Sequence, residues 1–478
     1  MKNNFLALLF LISIFSCRKS ELDLVPSNQL PVENAFNTET DVSLAVGGMY
    51  AGLRTSGSYY VSGTWNIIAD VLADNLIISQ AGRQTQRTFS EWLYNGDATY
   101  GLFAGGYTIN RRANAILENI EKFSNGAFKD NAKGEALALR AMVYFDMSRV
   151  YGKTFLNASA ADSVMPYVTT TDVTILPRKE SVAAFYTKVI KDLTDALPLI
   201  ATTNGVGRLN KAAVSGILSR VYLYQGNWVA CITESNTALT ATPNLPNIAT
   251  FPSIWTDATN AGVLFKVINT SLDNVNTPGV NYYQVVGTSG IRSEYVVDFN
   301  LRQQYLATDV RTASYIQTSP FNGVMQNHVV KYNGRPGQPV GVVDGKALRT
   351  AEVLLNRAEA NYRNSNQTAA LADLNLLKAN RYTGFVNLIN LTGVPLLNEI
   401  LRERRLELAF EGDRFWDLKR LNLPVQRDGT KGDRADGTGV TYLFLNLPVT
   451  GSGSHKFQLP YPTLEVNFNK NLTQNPGY

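Results

Sequence analysis

Two stretches of this chain repeat one pattern, a pair of helices joined by a short polar break, and that pattern confines much of the fold to helix-on-helix packing. In residues 209–240, Val214, Ile217, Leu218 and Val221 fall at i, i+3, i+4 and i+7. Gln225-Gly226-Asn227 then interrupts the helix, and Trp228, Ile232 and Leu239 begin a second apolar face. Residues 347–381 do the same, with Ala351, Leu354, Leu355, Ala358 and Tyr362, a turn at Asn364-Ser365-Asn366, then Ala370, Leu374 and Leu377. Each unit is close to the length of a tetratricopeptide repeat, about 34 residues. Two further helical faces are read at 36–53 and near 107–123, and a third over 133–151 through Leu137, Ala141, Tyr144, Phe145 and Ser148.

The units are not in tandem. Aligned on Arg140, Arg220 and Arg357, they lie 80 and 137 residues apart, whereas a plain solenoid keeps an even period. The intervening inserts, near 55–106 and 241–346, are rich in Gly, Asn, Thr, Tyr and Trp and have poor helical periodicity. The prediction is a mainly α fold in which about four helical hairpins form a frame and long irregular inserts carry short strands and loops. Recognition residues tend to sit on such loops.

The amino terminus points to a destination. Lys2 lies in a short polar head, residues 5–15 are apolar apart from Ser13, and Ser16 precedes Cys17. The run is shorter than the ~20 residues a membrane span needs and fits a secretory signal. A small residue followed by Cys matches a bacterial lipobox, so residues 1–16 are read as a lipoprotein signal and Cys17 as the lipidated anchor. Residues 18–35, with Pro26 and Pro31, are read as an extended tether, and residues 17–478 as a single body.

The side-chain inventory favours binding over catalysis. Of 478 residues only two are His, His328 and His455, and two are Cys, Cys17 and Cys231. Cys231 falls in a helical pattern and is expected to be buried. The formal charge is +5 without dense basic blocks, so no nucleic-acid partner is expected, and no cofactor or metal motif is present. Gly205-Val206-Gly207 lacks a third glycine and is read as the lead-in to the hairpin at Asn210; Gly451 to His455 is read as a loop. Glu399, Glu403, Glu407 and Glu411 make one stripe of carboxylates at i+4 steps, a spacing that destabilises a helix unless countered. With Arg402, Arg404, Arg405 and Arg414 alongside, and Arg140 and Arg357 on other helices, the stripe predicts an ion-pair lattice rather than a catalytic pair.

Aromatic residues supply the binding hint. Trp228 and Trp416 are expected in the core, whereas Trp65, Trp92 and Tyr94 fall in the first insert and Trp255, Tyr282, Tyr283 and Tyr295 in the second. Flat rings can face the CH surface of a sugar while polar groups take its hydroxyls, and at least two of these rings are expected to be exposed.

The segment Cys17 to Pro26, the helix 134–151, the hairpins, the run Leu401 to Arg420 (LRERRLELAFEGDRFWDLKR) and the ending Gln474-Asn-Pro-Gly-Tyr478 together resemble the SusD/RagB family of Bacteroidetes. The resemblance implies four tetratricopeptide-like hairpins supporting an irregular ligand-binding half. It also implies a lipoprotein on the outer face of the outer membrane, partnered with a SusC-type TonB-dependent transporter, that captures glycans or in some members peptides and is not an enzyme. Asp74, in Ala73-Asp74-Asn75, stands where the family often has an acid near the ligand, followed by Arg83, Trp92 and Asn95. The expected site therefore binds an oligosaccharide by stacking on Trp92 and one or more of Trp65, Tyr282 and Tyr283, with Tyr94 nearby and Asp74, Arg83 and Asn95 hydrogen bonding. The alternatives are a peptide-binding member, a surface glycosidase using carboxylates of the inserts, and a scaffold that binds only proteins.

Overall fold

The computed structural model describes residues 35–54, 60, 63–241, 245–273 and 277–478; Cys17, the signal segment and the tether up to residue 34 lie outside the described residues. The hairpins form where the apolar spacing placed them. Asn210 accepts a hydrogen bond from the Ala213 amide at 2.9 Å and opens helix α6 (Lys211–Gln225); Gly226, at φ 78°, closes it in the left-handed conformation that only glycine adopts without strain. Helix α7 (Trp228–Ala241) follows, with Cys231 buried. Helices α8 (Thr350–Arg363) and α9 (Gln367–Ala379) form the second hairpin around buried Leu354, Leu355, Leu374 and Leu377.

Upstream lie α1 (Glu39–Ala51), α3 (Leu102–Asn119), α4 (Ala127–Tyr151) and α5 (Val182–Ala196), and downstream α10 (Gly393–Leu408) and α11 (Arg414–Arg420). Successive helices pack on one another in the order α1, α3, α4, α5, α6, α7, α8, α9, and α10 closes on α8 and α9. Buried side chains from Phe36 to Leu472 belong to one apolar cluster.

The arginines that align the units each bridge helices. Arg140 grips Asp192 of α5 through two bonds of 2.7 and 2.9 Å, Arg220 grips Glu352 of α8 at 2.5 and 2.7 Å, and Arg357 grips Asp373 of α9 at 3.0 and 2.6 Å. Arg140 and Arg357 are therefore spent before they could reach the glutamate stripe, contrary to expectation. The stripe itself is an ion-pair lattice. Glu403 takes Arg311, Arg402 and Lys378; Glu407 takes Arg349, Arg381 and Arg311; Glu411 takes Arg349 and Lys331; Glu399 takes Lys378 and Arg402. Arg404, Arg405 and Arg414 serve aspartates instead, at Asp413, Asp417 and Asp74. Burial would raise the Glu407 carboxyl, but the Arg381 and Arg349 guanidiniums hold it far below the usual carboxylate range.

The inserts build a second core. Within the first, α2 (Trp65–Leu72) is a helix buried along its whole length, where the sequence suggested loop or strand. Asn66 and Asp70 put a polar stripe on α2, but its eight residues are too short a window for a helical period to be read. Gly412 permits its close seating, because a Cβ there would lie 2.4 Å from the Trp65 carbonyl oxygen. Strand β1 (Leu76–Ile78) pairs antiparallel with β3 (Tyr295–Val297), so the two inserts interlock; β2 (Val263–Val267) pairs with β6 (Gly345–Arg349). Strands β4 (Ile316–Phe321) and β5 (Val324–Val329) form a hairpin. At the carboxyl end the Asn475 amide donates to the carbonyls of Tyr151 and Leu459 at 2.8 and 2.7 Å, sewing the tail to α4.

Asp70 of α2 accepts from the Asn75 amide at 2.7 Å and the Phe410 backbone at 3.1 Å, yet burial pushes its carboxyl up to about 6. A group raised in the folded state adds stability that is complete below its unfolded value, 3.8, and is lost as pH rises through about 6. The difference is on the order of 3 kcal/mol between the ends of that window. Asp70→Asn is expected to remove this slope, so that urea-unfolding free energies of wild type minus variant, measured from pH 4 to 7, fall with rising pH. A flat difference would refute a buried, proton-binding Asp70.

Candidate ligand-binding site

Beyond β1 the chain makes the short helix Arg87–Ser90 and reaches Trp92, which stands at φ 53°, a strained setting for so bulky a residue. Two contacts hold it: its indole nitrogen donates to the Leu72 carbonyl at 2.9 Å, and the Arg427 guanidinium lies over its face at 4.3 Å. On the other side Arg427 meets the Tyr442 ring at 4.8 Å. The same guanidinium donates to the carbonyls of Val71, Leu72, Ala73, Ser90 and Phe444 at 2.6 to 3.2 Å. Burial pulls its pKa down to about 10, so it remains charged at neutral pH.

Arg427 and Tyr442 of this cluster, both buried, form the floor of a cleft with about 600 Å³ of open space, whose lining also includes Ile77, Ile78 and Ser90. One wall is polar: Gln80, Gln84, Arg87 and Glu91, with Arg87 and Glu91 paired at 2.6 Å and the arginine half exposed. The lining also takes in the segment 440–444, whose Val440, Leu443 and Phe444 are exposed. Hydrogen-bonding side chains and an apolar, partly aromatic surface thus line one cleft, a composition that can take a ligand offering both hydroxyls and carbon–hydrogen faces.

The expected site residues distribute themselves differently. Trp65 is buried, stacked on Trp416 with ring centres 6.1 Å apart and covered by Arg149. Trp92 is buried beneath the cleft rather than lining it, with its edge against Phe444. Tyr94 is buried, its hydroxyl donating to the Lys456 carbonyl, and Tyr282 is buried, donating to the Asn66 carbonyl at 3.1 Å. None of these four rings can stack on a ligand without unpacking. Trp255 and Tyr295 are buried as well. Trp65, Trp92 and Tyr94 pack inward into the apolar cluster of the helical frame, and Trp255, Tyr282 and Tyr295 into a second cluster built largely by the inserts. Asp74 is not a ligand acid: Arg414 grips both its oxygens at 2.7 and 2.9 Å and Arg405 stands at 3.2 Å. Although burial raises its carboxyl, those guanidiniums hold it well below the usual range.

Three expected residues keep accessible surface. Arg83, beside Gln84, pairs with Glu294 at 2.5 Å and is 57% exposed at its side chain. Exposed Asn95 closes a turn by accepting from the amides of Asp97 and Ala98 at 2.9 and 3.1 Å. Half-buried Tyr283 donates to Gln317 at 3.1 Å and sets its ring edge-on to His328. Gln80, Gln84, Arg87 and Phe444 were not anticipated; the sole signal was the apolar run 440–445, between a Gly-rich loop and Asn446-Leu447-Pro448.

The frame of helical hairpins with interlocked inserts is that of the SusD/RagB family, and the chain belongs to it: the sequence model of the SusD family matches residues 270–478, and a second, described as starch-binding and associating with the outer membrane, matches residues 22–223. Among its relatives, the SusD-like protein P2 of Formosa agariphila is 25% identical over 525 residues, spanning 98% of each chain. A SusD superfamily protein from Bacteroides vulgatus superposes with a TM-score of 0.81 at 24% identity, over 93% of this chain and 100% of that one. The surface glycan-binding protein A from Bacteroides fluxus superposes with a TM-score of 0.71 at 20% identity, over 92% and 100%. Family membership supports carbohydrate binding and association with the outer membrane.

Proposed function

We propose that the protein is a cell-surface lipoprotein, anchored through Cys17 after removal of residues 1–16, whose remaining residues form a single body that binds an oligosaccharide in the cleft and delivers it unchanged to a SusC-type TonB-dependent transporter. The observation that carries the reading is the cleft itself: Gln80, Gln84 and the Arg87–Glu91 pair line it together with Phe444 and Leu443, over a base already fixed by Arg427. A site whose floor needs no rearrangement loses little ordering entropy when the ligand arrives. The starch-binding description of the amino-terminal match supports the ligand class, and the glycan-binding relative carries the same fold. A lipid anchor holds such a protein at the membrane without a spanning helix, and no helix among the described residues is long and apolar enough to cross one. Binding rather than cleavage is further supported by the glutamate stripe, whose carboxylates are taken up by guanidinium and ammonium groups.

Calorimetric titration with a panel of oligosaccharides that includes maltooligosaccharides tests the cleft. Gln84→Ala with Phe444→Ala is expected to weaken binding at least tenfold while leaving the melting curve unchanged; undiminished affinity would place the ligand elsewhere. Peptides titrated in parallel separate the peptide-binding reading, and release of reducing ends would reveal a glycosidase.

A further inference from the structure

A second concavity shares no residue with the cleft. It lies between the first turns of α3, the segment 166–177 and the short helix Thr463–Phe468, and holds about 890 Å³ of open space. Phe103 and Tyr107 are among its lining, and Ile175, Leu176 and Phe468 stand exposed around it. Leu464, one turn before Phe468 on the same helix, is 82% exposed, and Phe468 is 73% exposed, an unusual display for residues of this size.

The walls are tied in place by side chains. Tyr107 donates to the Pro166 carbonyl at 2.7 Å, Asn114 to those of Val168 and Thr170 at 3.1 Å each, Asn469 to Pro177 at 2.9 Å and Asn471 to Leu176 at 2.7 Å. Two carboxylates, Asp172 and Glu465, belong to the lining, and neither makes an ion pair among the described residues. Hydrogen bonds from the Thr174 hydroxyl and amide keep Asp172 below the ordinary carboxylate range and so ionised at neutral pH. Lys179, just beyond the wall, turns toward the Thr473 carbonyl and the Tyr461 ring instead.

We propose that this pocket is a second binding site, which receives a large apolar side chain from a polypeptide segment of another protein, the segment carrying Lys or Arg next to that anchor. The fixed apolar walls take the anchor, and the unpaired carboxylates select a cationic neighbour over an anionic one. The proposal is independent of what occupies the cleft.

The test uses the full mature chain and fluorescein-labelled peptides of sequence Lys-Phe-Leu-Lys, Glu-Phe-Leu-Glu and Lys-Ala-Ala-Lys, read by anisotropy. The first is expected to bind at least tenfold tighter than either counterpart. Leu176→Ser with Phe468→Ser, both exposed, should reduce that binding at least tenfold without altering the melting curve or oligosaccharide affinity. Equal binding of the three peptides, binding of none, or binding indifferent to the double substitution would each overturn the proposal. So would Phe468-dependent co-sedimentation with phosphatidylglycerol vesicles in place of peptide binding, which would make the face a lipid contact.

Discussion

Glu407→Gln is expected to lower the unfolding free energy by about 3–5 kcal/mol, the range found when one member of a buried charge network is removed. Glu407 has no exposed side-chain surface and accepts from Arg381 at 2.8 and 3.0 Å, from Arg349 at 2.7 Å and from Arg311 at 3.4 Å. Glutamine keeps the shape, but it presents an NH2 group to guanidiniums that can only donate. It leaves three buried cations with less negative charge to share. Glu399, nearer the surface on the same stripe, is the control: Glu399→Gln should cost no more than about 1 kcal/mol, the upper end for exposed pairs. Urea unfolding of both variants gives the comparison, and equal losses would show that the lattice is not centred on Glu407.

Arg427→Met should be comparably severe and should also abolish ligand capture. The guanidinium donates to carbonyls from three separate stretches, 71–73, 90 and 444, sharing only that of Leu72 with the Trp92 indole, and packs against both Trp92 and Tyr442. Each buried carbonyl left unpaired costs about 1–3 kcal/mol, and the methionine chain restores apolar contact only. Arg427→Lys is expected to rescue little, because one ammonium cannot fork toward stretches on different sides of it. Loss of oligosaccharide binding together with about 3 kcal/mol or more of unfolding free energy is the expected pair of results. A variant of wild-type stability that still binds would show that the floor does not depend on Arg427.

The hairpins were legible because Val214 to Val221 and Ala351 to Tyr362 repeat with helical spacing, and the polar turn residues between them leave little choice of connection. The lattice was legible as a need, since four carboxylates on one stripe demand cations. Of its partners, Arg402 on the same helix was legible too, whereas Arg311, Arg349 and Arg381 come from elements whose approach depends on tertiary packing. The buried helix α2 escaped because its eight residues are too short a window for a helical period, and the ring of Tyr282 because the burial of a single side chain leaves no periodic trace. The segment around Trp92 borders the cleft through Ser90 and Glu91, but the ring itself lies beneath it, while Phe444, more than 350 positions later, offers an exposed face.

Trp65 rests on Trp416, β1 pairs with β3, and Asn475 fastens the tail to Tyr151. Each of these contacts joins residues hundreds of positions apart, and folding slows as native contacts become more distant along the chain. The amino-terminal half therefore cannot complete its own interior while the carboxyl end is still being synthesised. On the route proposed above, in which the polypeptide is threaded across one membrane and then fixed to another, such late closure would delay the compact state until the whole chain has passed.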